Sequence, residues 1–398
     1  MAWAGRHVVL GVTGGIASYK SCFLARLLTE AGALVDVAFT RSAGEFVRPV
    51  VFEALTGRPV LSSLWEPGAA LSHVRWGQQA DLIIVAPATA HVIARLAQGL
   101  ADDALTALLL AGTSPVLLAP AMNDAMFAHP QTQANLARLR ERGMTVVGPE
   151  AGALAEGPSD RPGRMSEPDT ILAHASRVLH RRSPLAGRRM VVTAGPTREP
   201  LDPVRVLTNR SSGKMGYRLA EVAWERGAEV VLVSGPTGLP APVGVTVDRI
   251  DTTAQMEQAV RAALPAADVL IMAAAPADFR PAVTAAAKRP RAEGETTLAL
   301  VPTADILQAT IDARKPGSFA VGFALETGDA EARGRAKLDR KQLDMIVVND
   351  ALEPGAGFDV DTNRVTILDR DGGRQVVPLQ SKRAVAEVIL DAVERQLG

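Results

Sequence analysis

A chain of 398 residues exceeds what one hydrophobic core supports, and at ~100–200 residues per domain two domains are expected. Its 43 basic and 43 acidic side chains balance and aromatics make up 4% of the whole, so neither a charged face for nucleic acid or membrane nor a base-stacking platform is expected. The single cysteine, Cys22, excludes an intrachain disulfide, no apolar run approaches ~20 residues, and "MAWAGRHVVLGVTGG" enters a strand directly, so a cytoplasmic globular protein is expected.

Short apolar runs alternate with helical patterns through both halves, which predicts an α/β fold with two parallel-sheet domains. In the first half the runs "HVVLGV" (7–12), "LVDVAFT" (34–40), "LIIVAP" (82–87), "PVLLAP" (115–120) and "TVVGP" (145–149) read as strands. A helix over "SYKSCFLARLLTEAG" is stopped by Gly32. The basic stretch "RRSPLAGRR" (181–189), broken by Pro184 and Gly187, reads as a linker, giving domains 1–183 and 184–398. The second half repeats the pattern: "MVVTAGP", a helix over "GKMGYRLAEVAWERGA", "EVVLVSGP", "VLIMAAAP", "FAVGFALE", "MIVVND" and a C-terminal amphipathic helix "SKRAVAEVILDAVERQL". "AEGE", "EPGAG" and "DRDGGR" read as turns.

"GVTGGIAS" joins the first strand to the first helix, and Gly14 and Gly15 let backbone N–H groups, including that of Ile16, approach a phosphate at the helix N-terminus. The spacing is not that of a dinucleotide fingerprint. The second strand ends in Thr40, Arg41 and Ser42 rather than an acid for a ribose, which favours a mononucleotide such as FMN over NAD. A plain βα turn is the alternative. "APATAHV" places Pro87, Ala88 and Thr89, and "APAMNDAM" places Asn123, at strand C-terminal ends, where open α/β sheets bind ligands. On its own Asn123 reads as a cap of "DAMFAHP", and His73 as a solvated loop histidine.

These stretches resemble the flavoprotein family that decarboxylates cysteine-containing substrates, and more specifically the N-terminal half of the bacterial bifunctional phosphopantothenoylcysteine decarboxylase / phosphopantothenate–cysteine ligase family. The resemblance implies a flavodoxin-like or Rossmann-like FMN domain in which Asn123 holds the substrate carboxylate and His73 assists the flavin step. The chain departs from the family at "LAEGPSDRPGRM", where Glu156 stands at the position of the reactive cysteine that supplies the last proton. An ordinary Glu, with a pKa near ~4.3, is ionised at neutral pH. Three possibilities follow: Glu156 is a perturbed acid, another group donates, or the flavin cycle closes poorly. Cys22 sits at a core position on its helix and does not replace the missing thiol.

"VLTNRSSGKMG" (206–216) looks like a phosphate loop, but Thr208 replaces the first Gly and Met215 the Ser/Thr of a Walker A motif. Ser211 and Ser212 are candidate helix caps. That reading leaves the Arg205–Asn209 excursion unexplained. The whole run "AGPTREPLDPVRVLTNRSSGKMG" closely resembles the ligase half of the same family. The resemblance implies a Rossmann-like domain in which Asn209 contacts an acyl-cytidylate and Arg205 assists. It further implies CTP contacts from Met272, Ala273, Ala274 and Asp278, from Lys288, from "PTADIL" (Ala304, Asp305, Ile306, Leu307), from Phe323 and from Lys337 and Lys341, with Mg2+ at Asp278. Here Pro276 replaces a usual Val, and Thr303-Ala304 replaces a usual Asn-Pro. "GAGFDVDTNRVTIL" completes the match. Read without the family, Phe323 is a core residue and the Lys337/Lys341 pair a solvated helix face.

The expectation is a bifunctional coenzyme A biosynthesis enzyme, homo-oligomeric, acting on 4'-phosphopantothenate, cysteine and CTP, with FMN and Mg2+ as cofactors. Two alternatives stand beside it: a working ligase with the flavin domain kept as a scaffold, and a flavodoxin-like electron carrier without ligase activity.

Overall fold

A computed structural model describes residues 3–66, 68–288, 297–326, 329–350 and 360–398 of the chain. The chain divides into two compact units, Met1–Arg181 and Arg182–Gly398. No helix among the described residues is long and apolar enough to cross a membrane.

Unit 1 is built on β1 (His7–Val12), β2 (Leu34–Phe39), β3 (Val60–Leu61), β4 (Leu82–Ala88), β5 (Val116–Pro120) and β6 (Thr145–Val146). They form one parallel sheet in the order β3-β2-β1-β4-β5-β6. The strands are apolar on both faces because helices cover both. Val8, Leu10 and Val12 pack with Leu24 and Leu28 of α1 (Ser18–Glu30) on one side. Val9 packs with Leu105 and Leu108 on the other. Around the sheet run α2 (Pro49–Thr56), α3 (Ser72–Gln79), α4 (Ala90–Gln98), α5 (Ala104–Ala111), α6 (Asp124–Ala128), α7 (Pro130–Glu141) and α8 (Pro168–Leu179). A small antiparallel pair, β7 (Glu150–Ala151) and β8 (Pro162–Arg164), brackets the stretch carrying Glu156. The expected strand at 145–149 shrinks to two residues, because Gly148 takes φ +74° and Pro149 offers no N–H.

Unit 2 centres on β9 (Arg189–Ala194), followed by the hairpin β10 (Arg198–Pro200) and β11 (Val206–Thr208), then α9 (Lys214–Glu225), β12 (Glu229–Ser234), β13 (Thr246–Arg249), α10 (Thr253–Ala263) and β14 (Val269–Met272). A second hairpin of β15 (Phe279–Pro281) and β16 (Leu300–Pro302) precedes α11 (Ile306–Ala309), β17 (Phe319–Glu326), α12 (Ala330–Arg340) and β18 (Met345–Asp350). The chain ends in β19 (Thr362–Asp369), β20 (Arg374–Ser381) and α13 (Lys382–Leu397). The main sheet runs β13-β12-β9-β14-β17-β18-β19-β20.

Several expectations are corrected. The second sheet is parallel only as far as β18; β19 and β20 add antiparallel, joined by the expected turn at "DRDGGR". Their alternating polar residues give no continuous apolar run, which hid them. The 181–189 stretch is largely part of unit 2: Leu185 is fully buried and the Gly187 N–H donates to Gly227 O at 3.1 Å. Neither Ser211 nor Ser212 caps α9. That place belongs to Gly213 at φ +74°, a conformation that favours glycine. The "AEGE" and "EPGAG" turns, and residues 355–359 of the "GAGFDVDTNRVTIL" match, lie outside the described residues.

Candidate active sites

In unit 1 the strand order reverses between β1 and β4, so the loops following them flank a crevice at the strand C-terminal ends. The residues read as FMN contacts converge there. A Cβ on Gly14 would stand 2.4 Å from Ser42 Oγ, and one on Gly15 would stand 3.4 Å from Thr89 Cγ2 and 4.0 Å from Pro87 Cγ. Only a glycine at position 14 lets the β1 loop lie this close to the loop after β2, while Gly15 stands at ordinary contact distance from the loop after β4. Buried Thr13 ties them together: its Oγ1 donates to Pro87 O at 2.7 Å and accepts the Thr89 N–H at 3.3 Å. Thr40 Oγ1 and Ser42 Oγ lie 3.3 Å apart. Thr40, Pro87 and Ala88 are buried, whereas Ser42 and Ile16 face outward, Ile16 at 66% exposure.

His73 is on α3, not in a loop, and its Nδ1 is buried without a hydrogen-bond partner. Asn123 is the N-cap of α6: Oδ1 accepts the N–H groups of Ala125 at 2.9 Å and Met126 at 3.4 Å. With Oδ1 committed, Nδ2 points away from the helix and donates to Glu156 Oε2 at 2.7 Å. The same excursion is fixed at its base, where Ser159 Oγ donates to Asp124 Oδ2 at 2.7 Å and holds that carboxyl below its usual range. Gly163 lies against Met122, whose N–H donates to Gly163 O. Cys22 is half-buried against the core, and burial pushes its thiol up, so it is no reactive thiolate.

In unit 2 the order reverses between β9 and β14, and a cavity of about 320 Å³ opens beyond their C-terminal ends. Of the predicted residues, Asn209, Ala273, Ala274, Asp278 and Phe323 line it together. Phe323 is therefore a wall of the cavity, not a core residue. Asn209 Nδ2 donates to Pro276 O at 2.9 Å, fixing the amide against the loop after β14.

The other predicted residues lie off this cavity's wall. Met272 is buried in the core beside it. Arg205 is held by Asp202, with Nε donating at 2.9 Å, while Asp202 Oδ1 also accepts the Val204 and Arg205 N–H groups. Ile306 and Leu307 are core side chains, and Asp305 is the N-cap of α11 with Ala304 exposed before it. Lys341 Nζ pairs with Asp305 Oδ2 at 3.0 Å. Lys337 lies on α12 and Lys288 is exposed between β15 and β16.

The cavity wall also includes polar residues that are not among the predicted site residues, Lys214, Asn349, Asn363 and Lys382 among them. Lys214, the first residue of α9, pairs with Asp361 Oδ1 at 2.7 Å and holds that carboxyl below its usual range. Asn363 Oδ1 accepts the Arg364 N–H at 3.1 Å, so Asn349 must present Nδ2 to it, and the buried Asn349 Oδ1 is left without a partner. A polar residue closing the apolar run "MIVV" was the one signal in the sequence.

Comparison with known proteins agrees with the two units. The flavoprotein family matches residues 3–180, and the DNA/pantothenate metabolism flavoprotein C-terminal domain family matches residues 185–397. Over 403 aligned positions the chain is 47% identical to the coenzyme A biosynthesis bifunctional protein CoaBC of Mycobacterium tuberculosis, covering 98% of this chain and 96% of that one. The CoaBC proteins of Bacillus subtilis and Vibrio vulnificus are 44% and 43% identical, each aligned over 99% of this chain and over 98% and 99% of their own lengths. The chain belongs to the family of coenzyme A biosynthesis bifunctional proteins, CoaBC.

Proposed function

We propose that unit 2 joins 4'-phosphopantothenate to cysteine with consumption of CTP, and that unit 1 decarboxylates the resulting 4'-phosphopantothenoylcysteine to 4'-phosphopantetheine with FMN. The observation that carries the ligase reading is the cavity itself, which brings Asn209, Asp278, Phe323 and Lys214 together at the β9/β14 crevice.

The carboxylate oxygen of phosphopantothenate attacks the α-phosphorus of CTP, and the bond to the departing pyrophosphate breaks. The cysteine amine then attacks the acyl carbon, the bond to the nucleotide oxygen breaks, CMP leaves and the amine loses a proton. Both steps bring anions or lone pairs toward negative charge, so they depend on placed donors and cations. Asn209 Nδ2 is the donor for the acyl group. Lys214 at the positive end of α9 supplies charge toward the phosphates, while Lys341 and Arg205, each paired with a carboxylate off the cavity wall, assist from there. Phe323 stands as the wall for the base, and Asn349 Oδ1 is an open acceptor within the same cavity. Asp278 is the one carboxylate among the cavity's described walls, and among the described residues no cluster of three metal-ligating side chains occurs. That suits Mg2+ held by one carboxylate and the nucleotide's own phosphates.

The unit 1 crevice suits FMN: Gly14 lies against Ser42, and the Thr40 and Ser42 hydroxyls lie 3.3 Å apart beside it, with His73 on α3 assisting the flavin step. Gly14, Gly15, Ile16, Thr40, Ser42 and the 87–89 turn would hold it. When bound, FMN supplies the two-electron oxidation of the substrate thiol that lets the carboxylate leave as CO2, and the reverse transfer afterwards. Asn123 Nδ2 holds the substrate carboxylate through its second N–H, with the Glu156 carboxylate on the first. Exposed Ile16, Tyr19 and Phe23 form an apolar stripe along the start of α1, which supports self-association of unit 1.

The test is a coupled assay. Pyrophosphate release requiring CTP, phosphopantothenate and cysteine together, followed by CO2 release, is expected. Absence of triphosphate consumption with all three present overturns the ligase. Ligation without CO2 release leaves unit 1 as a scaffold.

A further inference from the structure

The loop at 273–278 carries cavity residues Ala273, Ala274 and Asp278 and the carbonyls that hold Asn209, yet its sequence "AAAPAD" gives it almost no side chains with which to fix itself. Its position is set from outside. Thr193 Oγ1 accepts the Ala274 N–H at 3.1 Å and Gly195 O accepts the Ala275 N–H at 2.9 Å. The Ala277 peptide is gripped at both ends: Thr197 Oγ1 accepts its N–H at 2.9 Å, and Thr303 Oγ1 donates to its carbonyl at 2.6 Å.

Thr197 is fully buried and is the end of a longer relay. Its Oγ1 lies 2.8 Å from Thr253 Oγ1, which lies 2.8 Å from Glu199 Oε1; the Thr253 N–H reaches the same oxygen at 2.8 Å. Thr253 is 2% and Glu199 3% exposed. The proton directions follow from valence. As a carboxylate, Glu199 only accepts, so Thr253 Oγ1–H donates to it. The Thr253 oxygen then accepts from Thr197 Oγ1–H, and the Thr197 oxygen accepts from Ala277 N–H. Glu199 is in turn favoured by the positive end of α10, whose first residue is Thr253. Thr197 O also accepts from Thr208 Oγ1 at 2.7 Å, immediately before Asn209. One residue thus grips both the strand that presents Asn209 and the loop that presents Asp278.

We infer that Thr197 and Thr253, ending on Glu199, are positioning residues of the ligase: a one-way hydrogen-bond relay that sets the spacing between Asn209 and the 273–278 loop. The inference rests on the ligase reading above. Thr303 completes the grip in the place where the family resemblance implies an asparagine.

The test uses the full chain with Thr197→Val, Thr253→Val, their double variant and Thr197→Ser. Hydrogen–deuterium exchange of the 273–278 segment is expected to quicken in both valine variants. Ligation kcat, measured well below the melting temperature, is expected to fall about 10–100-fold in Thr197→Val, by more than any change in KM, because a small misplacement of reacting groups is costly. Serine, which keeps the hydroxyl, restores it. The double variant is expected to be no slower than Thr197→Val alone, since both changes cut one relay. Wild-type kcat in Thr197→Val, multiplying losses in the double variant, or unchanged exchange at 273–278 overturns the inference. A wild-type chain that does not ligate overturns the ligase reading instead, and exchange at 273–278 then decides the relay alone.

Discussion

Asn123 Nδ2 donates to Glu156 Oε2 at 2.7 Å, while Asn123 Oδ1 is locked into the cap of α6. Its Nδ2 carries two N–H groups, so one is held by a carboxylate of the chain itself and the second is left for the carboxylate of the substrate. Two carboxylates on one amide nitrogen repel each other. Glu156→Ala is expected to lower KM for phosphopantothenoylcysteine by about two- to fivefold, a modest effect because the contact is solvent-exposed. Glu156→Cys is expected to raise the rate of phosphopantetheine formation, by about tenfold or more if a proton donor limits the cycle. Steady-state CO2 release and mass spectrometry of the product read both changes. Glu156→Ala without any drop in KM contradicts this repulsion.

Asn209→Asp is expected to lower amide formation by about 100-fold or more, on the scale of losing one preorganised donor at a developing oxyanion. The mechanism is specific. Aspartate has no N–H to give Pro276 O, which Asn209 Nδ2 meets at 2.9 Å, and it adds negative charge beside an incoming carboxylate. Circular dichroism and melting should stay near those of the native chain, because Asn209 is exposed rather than part of the core. Unchanged amide formation would remove Asn209 from the reaction.

Both sheets were legible because most of their strands are buried on two faces and so appear as unbroken apolar runs, as in "HVVLGV" and "FAVGFALE". The ends of those runs point to Gly14 and Thr89, which meet at the β1/β4 reversal, whereas Asn209 and Asp278 follow from the family resemblance and are brought together at the β9/β14 reversal. Asn363 and Lys382 were not legible. They reach the cavity from β19, whose antiparallel docking depends on tertiary pairing, and from the start of α13, a helix whose periodicity shows in the sequence but whose place beside the cavity does not. Lys214 was set aside with the failed Walker A pattern, although its place at the head of α9 did not depend on that pattern. The relay from Ala277 to Glu199 was invisible for a different reason: scattered threonines acquire meaning only once the fold places them in line.

The pH dependence of unit 1 should carry the mark of His7. Its hydrogen bond to Asp36, with Nε2 2.6 Å from Oδ2, raises the imidazole above its usual value near 6.5 against the opposing effect of burial. Burial alone would raise Asp36, but the hydrogen bonds from His7 and Arg58 outweigh it and hold the carboxyl below 3.8. For a raised histidine the stabilisation is fully present below pH 6.5 and is lost as pH rises through the folded value; for the depressed aspartate it is present above 3.8 and lost as pH falls through the folded value. The melting temperature of the native chain should therefore exceed that of His7→Gln most clearly near pH 6, with the gap narrowing toward pH 9. A gap that is constant across that range would show that His7 contributes by packing and not by charge.

The C-terminal helix should be the part of unit 2 most sensitive to loss of one charge. Arg383, near the start of α13, meets Glu221 at 2.9 Å and Glu225 on α9, and Glu387 at 3.8 Å one turn further along its own helix. Burial would lower the guanidinium, but the surrounding glutamates outweigh it and raise it far above its ordinary value. Glu225 is almost fully enclosed, at 7% side-chain exposure, so its charge depends on this neighbour. Arg383→Met keeps the aliphatic packing and removes the compensation, which for a buried pair costs about 3 kcal/mol, or a fall of roughly 6–10 °C in the melting temperature of the unit. Replacing Glu225 by Gln in the same chain should recover part of the loss, because the most enclosed of the three carboxylates around Arg383 then carries no charge. Equal melting of Arg383→Met and the native chain would mean that Arg383 adds nothing to the docking of α13, which its buried Val385, Ile389 and Val393 and the pairs of Arg226 with Asp391 and Glu394 then carry.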